Sequence, residues 1–321
     1  MERISDTIIG YLRDHQTFLI LIHKKPDGDA VGSAIALGKG LKSIGKDVDY
    51  CVDVPLEDKL NFFDEIARFN GPLKDHYDGL VFLDCSTQEY AFTPDPMPAG
   101  DKIIVLDHHR SNDAFGDLNH VEETSSTGEI VFRVLKALDI TLDDEMVDAV
   151  FTSISTDTGS FQFSNVTTDT HRILSELYKY QDNFAPLSKK LHHEKSFAQM
   201  KMYGEAIESL TLLDKGRLSW TCLNRDTIDQ YGGMINITDD IANIGMNVTG
   251  VIISATLKEQ EPGHYRVSLR ARSPFDIDVS VIAKKYGGGG HQRAAGFDYT
   301  GELSDLQDEL SRFLEASSLE S

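Results

Sequence analysis

The sequence predicts an α/β protein, with a doubly wound, mainly parallel sheet in its first half and a smaller α+β domain in its second. Three observations lead there. Short apolar runs alternate with helical patterns up to about Asp182, which implies parallel strands joined by helices. Beyond Asp182 a helical stretch gives way to closely spaced strand-like runs. Acidic residues and histidines stand directly after the early runs, where the strand ends of open α/β sheets bind ligands.

Each element follows from its own pattern. Residues 18–22 (Phe-Leu-Ile-Leu-Ile) read as a buried strand. Residues 30–44 carry Val31, Ile35, Leu37, Leu41 and Ile44 near helical period, after a turn at Gly28. Residues 48–52, 79–83 and 103–106 read as further strands, and 126–138 and 144–154 as helices. Residues 185–208 are mostly helical in pattern and contain the connection between domains. Strand-like runs follow at 207–213, 218–223, 251–257 and 265–269, then a helix at 279–286 and a last one at 303–314. The expected organisation is a first domain over 1–184, a helical linker over 185–206 and a second domain over 207–321.

Composition narrows the function classes. A chain of 321 residues suits two domains. No apolar run approaches the roughly 20 residues that span a membrane. The N-terminus lacks a basic segment followed by a long apolar stretch, so no signal peptide is expected. Cys51, Cys85 and Cys222 form no CxxC pair, which argues against disulfides or structural zinc and fits a reducing cytoplasm. The formal net charge of −21 argues against a general grip on long nucleic acid, which needs a basic surface. The acidity reads as a solubilising surface, and a phosphate substrate could still bind where positive charge is concentrated.

The chemistry-bearing residues fall into separate segments. His23, Asp27 and Asp29 follow the first strand, Asp84 ends the third, and Asp107-His108-His109 follow the fourth. Asp157 lies after the helix at 144–154. Carboxylate oxygens mixed with imidazole suit Mn²⁺ or Mg²⁺ better than a thiolate-preferring metal. Two such ions about 3.5–4 Å apart can clamp a phosphoryl group during in-line displacement. Singly, each residue also has an ordinary reading, as a turn, a helix cap or a packed histidine. Together they all follow predicted elements of one α/β half.

Three other segments carry two readings each. Ser125-Ser126-Thr127-Gly128-Glu129 reads as a helix start with Glu129 completing a capping box, while Ser126 could cap or line the site. Lys189, Lys190, His192 and His193 read as a solvated face, or as one with a residue turned towards the cleft. The run Gly287-Gly288-Gly289-Gly290-His291 is either a turn between helix and strand or a place where backbone N–H groups approach a phosphate. In the second case His291 and Arg293 add donors, and Arg270 and Arg272 offer forked contacts.

In order, His23-x-x-Pro26-Asp27-Gly28-Asp29-Ala30-x-Gly32-Ser33, Asp84, Asp107-His108-His109 and Thr156-Asp157-Thr158-Gly159 resemble the four motifs of the DHH phosphoesterase superfamily. Gly287-Gly288-Gly289-Gly290-His291-x-x-Ala294-Ala295-Gly296 resembles the signature of its DHH-associated C-terminal domain. The resemblance covers nearly the whole chain. Within the superfamily the sequence is most similar to the stand-alone nanoRNase/pAp phosphatase type, through its length, its short linker and Val267-Ser268-Leu269-Arg270. Ala271 departs from that type, which often has serine there.

The resemblance implies a Mn²⁺-dependent phosphoesterase, with Mg²⁺ or Co²⁺ also suitable, acting from a cleft between the domains. One ion would be held by His23, Asp27 and Asp84, and the other by Asp29, Asp84, His108 and Asp157. Asp107 would orient a histidine, His109 would contact the scissile phosphate, and a metal-bridging hydroxide would be the nucleophile. Gly288, Gly289, Gly290, His291, Arg270 and Arg293 would bind substrate. The implied substrates are short oligonucleotides (nanoRNA) and 3′-phosphoadenosine 5′-phosphate (pAp), with no long nucleic acid and no membrane as partners. A homodimer is common in such proteins. The alternatives are a linear or cyclic dinucleotide phosphodiesterase (pApA, pGpG, c-di-AMP) and, further off, a single-strand exonuclease. A nucleotide-binding regulator without catalysis would lack metal ligands, and none is missing here.

Overall fold

The computed structural model describes residues 3–233 and 240–317. The chain divides into two compact units, Met1–Glu194 and Lys195–Ser321. The division falls inside the stretch expected as a linker. That stretch is two separate helices, Ala185–His192 in the first unit and Phe197–Glu208 in the second.

The first unit runs α1 (Asp6–Asp14), β1 (Thr17–Leu21), α2 (Gly28–Ser43), β2 (Asp47–Cys51), β3 (His76–Leu83), β4 (Ala99–Asp107), β5 (Leu118–Val121), α3 (Thr127–Ala137), α4 (Asp144–Asp157), α5 (Thr168–Leu177) and α6 (Ala185–His192). Its five strands are all parallel, in the order β2-β1-β3-β4-β5. The chain goes from β1 to β2 on one side and returns to β3 on the other. The switch point therefore lies between β1 and β3, where open α/β sheets form a ligand crevice at the carboxyl ends. The segments after β1 and β3 carry His23 to Asp29 and Asp84. The strands are near-continuous apolar runs because helices and loops cover both faces. Ile20, Val81, Ile104 and Leu106 join the core under α2, α3 and α4, while Leu19, Phe82 and Val105 join a second cluster on the opposite face.

The second unit runs α7 (Phe197–Glu208), β6 (Thr211–Leu213), β7 (Leu218–Leu223), α8 (Arg225–Gln230), α9 (Asp240–Asn243), β8 (Ile253–Glu261), β9 (His264–Ala271), α10 (Ser280–Lys285), β10 (Gly289–His291), β11 (Ala294–Thr300) and α11 (Leu303–Ala316). Its mixed sheet has the order β10-β11-β9-β8-β7-β6, with β7 and β8 parallel and the remaining pairs antiparallel. Trp220, Ala255, Leu269 and Phe297 pack on one face with Leu306, Leu310 and Leu314 of α11.

One sequence expectation needs correction here. The run at 207–213 is not one strand. The chain stays helical through Glu208, because Met202 and Ala206 pack inward one turn apart while Ile207 faces solvent at 60% exposure. The stretch after the glycine run contains a full strand, β11, whose Ala295, Phe297 and Tyr299 are buried at alternate positions. Among the described residues, no helix is long and apolar enough to cross a membrane.

Candidate active site

The first-unit residues singled out in the sequence meet at the carboxyl ends of β1, β3 and β4 and at the C-terminus of α4. His23 is buried, and its Nδ1 lies 2.8 Å from the Lys24 carbonyl. A carbonyl accepts only, so Nδ1 carries a proton and Nε2 is the nitrogen turned towards the carboxylates. That Nε2 faces Asp27 Oδ1 at 3.8 Å and Asp84 Oδ2 at 3.6 Å. His108 repeats the arrangement. Its Nδ1 lies 3.1 Å from the Thr124 carbonyl. Its Nε2 faces Asp29 and Asp84 at 3.6 Å and Asp157 at 3.7 Å.

Asp27 is the N-cap of α2, its Oδ1 accepting from the backbone N–H of Asp29 and Ala30 at 2.9 and 3.1 Å. Asp29 is almost fully buried in the first turn of that helix. Its carboxylate accepts from Ser33 Oγ, the backbone N–H groups of Thr127 and Gly128, and Ser153 Oγ. The first N–H groups of α3 are thus satisfied by Asp29, a carboxylate at the positive end of a helix. Ser126 precedes α3 without a side-chain capping bond. The capping box expected at Glu129 is not formed either: its carboxylate accepts from the hydroxyls of Thr124 and Ser125. The residue that caps α3 comes from another part of the chain.

Asp84 follows β3 in the left-handed backbone region, with φ +56°, a conformation in which aspartate is over-represented. It is buried, and it accepts from Thr127 Oγ1 at 3.1 Å. Asp107 is fully buried at the end of β4. Its Oδ1 lies 2.8 Å from His109 Nδ1, and its Oδ2 accepts from Asn112 Nδ2 at 2.6 Å. Asp157 is the last residue of α4, at the negative end of that helix, where added positive charge is favourable.

Among the described residues, three groups of side chains bring their ligand atoms within 4.8 Å of one another: His23, Asp27 and Asp84; Asp29, His108 and Asp157; and Asp84, His108 and His109. The electrostatics express a shortage of positive charge. Burial opposes protonation of His23, yet Asp27 and Asp84 outweigh it and raise its pKa to about 11. Burial likewise opposes protonation of His108, and Asp29, Asp84 and Asp157 raise it to about 9. Burial and then the charge of Asp84 push Asp29 well above the usual carboxylate range. Asp157 rises to about 6, first through burial. The bond to Asp107 raises His109. The donor set is oxygen and imidazole nitrogen without sulfur, since the Cys85 thiol donates to the Leu83 carbonyl. Two Nε2 atoms directed into a group of carboxylates, the whole cluster holding protons where a cation could sit, fit hard divalent cations.

In the second unit the glycine run forms a hairpin. Gly289, Gly290 and His291 pair with Gly296, Ala295 and Ala294, leaving β10 exposed at the sheet edge. Arg270 on β9 bonds Asn243 Oδ1 through Nε at 3.1 Å. Arg293 Nη1 bonds the carbonyls of Arg272 and Phe275. Arg272, expected to offer a forked contact, instead ties the carbonyls of Met246, Val248 and Val251 together. It braces a turn. His192, expected on a solvated face, lies 2.8 Å from the buried Ser155 hydroxyl.

Sequence reasoning missed Ser153, Asn112 and Thr124, which hold the cluster in place, and named Thr127 only as part of a helix start. Ser153 was findable, because it lies one turn before Asp157 on the same helix face. Asn112 and Thr124 carried no signal.

Comparison with known proteins identifies the family. Residues 17–154 match the DHH family N-terminal domain and residues 234–316 the DHHA1 domain. The chain belongs to the DHH family. It is 31% identical to the bifunctional oligoribonuclease and PAP phosphatase NrnA of Thermus thermophilus, over 92% of this chain and 88% of that protein. It is 28% identical to the probable bifunctional oligoribonuclease and PAP phosphatase NrnA of Streptococcus mutans, over 96% and 98%. In fold it is similar to an exopolyphosphatase-related protein from Bacteroides fragilis, with a TM-score of 0.84 at 22% identity, covering 97% of this chain and 95% of that one.

Proposed function

We propose that this protein is a divalent-metal phosphoesterase that hydrolyses short oligonucleotides and pAp. The observation that carries the reading is the convergence of His23 and His108 Nε2 on Asp27, Asp29, Asp84 and Asp157. The substrate class follows the similarity to the two NrnA proteins.

His23, Asp27 and Asp84 would hold one ion, and Asp29, Asp84, His108 and Asp157 the other, with Asp84 common to both. Mn²⁺ suits this donor set, as do Mg²⁺ and Co²⁺. A bound pair supplies Lewis-acid stabilisation of phosphate charge and activation of the attacking water. The remaining work belongs to the chain. Asp107 holds His109 by Nδ1 and favours its protonated form, so that Nε2–H can donate to a phosphate oxygen as charge develops. Asn112 fixes Asp107 in turn. Lys24 and Thr124 carbonyls fix the tautomers of His23 and His108, the usual task of groups behind a metal ligand. Arg270, Gly288, Gly289, Gly290, His291 and Arg293 would contact the part of the substrate remote from the reacting phosphate.

The test is chromatographic product analysis with Mn²⁺, offering pAp, a 5′-phosphorylated dinucleotide, a long single strand and a cyclic dinucleotide in parallel. Turnover of pAp and the dinucleotide, with little on the long strand, is the expected result. Preference for the cyclic dinucleotide would move the protein to the cyclic-dinucleotide phosphodiesterases of the same superfamily. Turnover unaffected by chelation would refute the reading.

A further inference from the structure

Two exposed aromatic residues neighbour the acid–histidine cluster, Tyr90 by ring contact and Phe163 through the turn that leaves it. Tyr90 stacks on His23, with ring centroids 5.2 Å apart and planes 12° from parallel, and it remains 48% exposed. Phe163 is 58% exposed and belongs to the turn that follows Asp157. That turn closes back on Asp157, because Asn165 Nδ2 donates to its carbonyl at 3.0 Å and reaches its carboxylate at 3.4 Å. His23 and Asp157 belong to different ligand groups, so each group has its own ring.

The backbone that presents Phe163 is unusual. Gly159, Ser160 and Phe161 have φ of +54°, +57° and +65°, the left-handed region that side-chain-bearing residues rarely adopt. Such backbone persists where the surroundings enforce it, and it clusters at functional sites. Its effect here is to send Phe161 inward, towards Phe151, and Phe163 outward. The far end of the Phe163 ring rests against Gly159, where any Cβ would come within 2.4 Å of it.

We infer that Phe163 and Tyr90 are stacking platforms for the nucleobases on either side of the scissile phosphate. The inference rests on the phosphoester reading above and extends it to specificity. With a net charge of −21 the chain offers little long-range attraction to a polyanion, so a non-ionic contact must supply part of the hold. Aromatic faces stack on any base, giving grip without sequence preference. One ring beside each ligand group suits one base on each side of a phosphate, which favours a dinucleotide over a long strand.

The test measures kcat and KM with Mn²⁺ on a 5′-phosphorylated dinucleotide and on two versions carrying an abasic sugar at one position or the other. Phe163→Ala is expected to raise KM about tenfold on the intact dinucleotide. Phe163→Trp should restore it. With one of the abasic substrates, wild type and Phe163→Ala should share the same KM. Tyr90→Ala should behave likewise towards the other abasic position, with rescue by Tyr90→Phe. Equal KM for wild type and both alanine variants on the intact dinucleotide overturns the inference. So does a loss that persists undiminished on both abasic substrates, since it is then independent of the base. A wild-type protein that cleaves none of the three overturns the phosphoester reading and the platforms with it.

Discussion

Ser153 on α4 and Asp29 on α2 meet at 2.5 Å, the serine hydroxyl donating to Asp29 Oδ1. That oxygen also accepts from Ser33 Oγ and the Gly128 N–H, while Oδ2 accepts from the Thr127 N–H and faces His108 Nε2 at 3.6 Å. With three donors on Oδ1, Oδ2 is the oxygen left for a cation. Ser153→Ala is therefore expected to weaken Mn²⁺ binding about 10- to 100-fold, the usual effect of losing a group behind a ligand. Stability in chelator should fall by less than about 1.5 kcal/mol, because the other donors remain. Calorimetric titration and thermal melting check both, and an unchanged affinity would make Ser153 a packing residue.

His108 gives the metal-free protein a pH signature. Its folded pKa of about 9 lies above the usual histidine value of 6.5. A raised histidine pKa contributes stability that is fully present below about pH 6.5 and is lost as pH rises through 9. Melting wild type and His108→Gln side by side in chelator should show an advantage for wild type at pH 6 that shrinks by pH 9.5. A constant gap across that window would mean that the carboxylates around His108 do not favour its charge.

Arg270 and Arg272 of the second unit should separate by stability and kinetics. Arg272 braces the carbonyls of Val248 and Val251, so Arg272→Ala should cost about 2–3 kcal/mol in denaturant melts. Arg270→Ala should leave stability within about 1 kcal/mol and raise KM with kcat nearly unchanged, the pattern of lost ground-state binding. A large kcat loss would place Arg270 in the transition-state machinery.

The glycines of the hairpin should likewise divide by role. At Gly288 a Cβ would come within 2.2 Å of the Gly296 carbonyl, so Gly288→Ala should destabilise the second unit. At Gly289 a Cβ would meet nothing within 4 Å. Gly289→Ala should fold normally and lose kcat/KM, if the backbone there approaches substrate closely. Normal activity in Gly289→Ala would confine the run to a structural turn.

Much of the acid–histidine cluster was legible because its members follow predicted elements. His23, Asp29, Asp84 and His108 each stand within a few residues of an apolar run that could be recognised as a strand. The groups that hold them were not legible, because those contacts cross the chain. Thr127 N–H meets Asp29 over 98 residues and Ser153 Oγ over 124. Local pattern assigned Glu129 to a capping box, whereas tertiary structure delivered Asp29 to that helix end instead. The error at Ile207 has the same origin: a β-branched residue near a helix end resembles a strand until its neighbours' packing is known.

The central claim is a paired metal site that drives phosphoester hydrolysis. Its most direct test is to strip the protein with chelator and titrate Mn²⁺ while following cleavage of a 5′-phosphorylated dinucleotide, with Asp84→Asn as the companion. The account predicts no turnover without metal and a rise that saturates at two equivalents. It also predicts a folded Asp84→Asn protein with activity reduced at least about 100-fold. Full turnover in the stripped protein, or wild-type activity in Asp84→Asn, would contradict it.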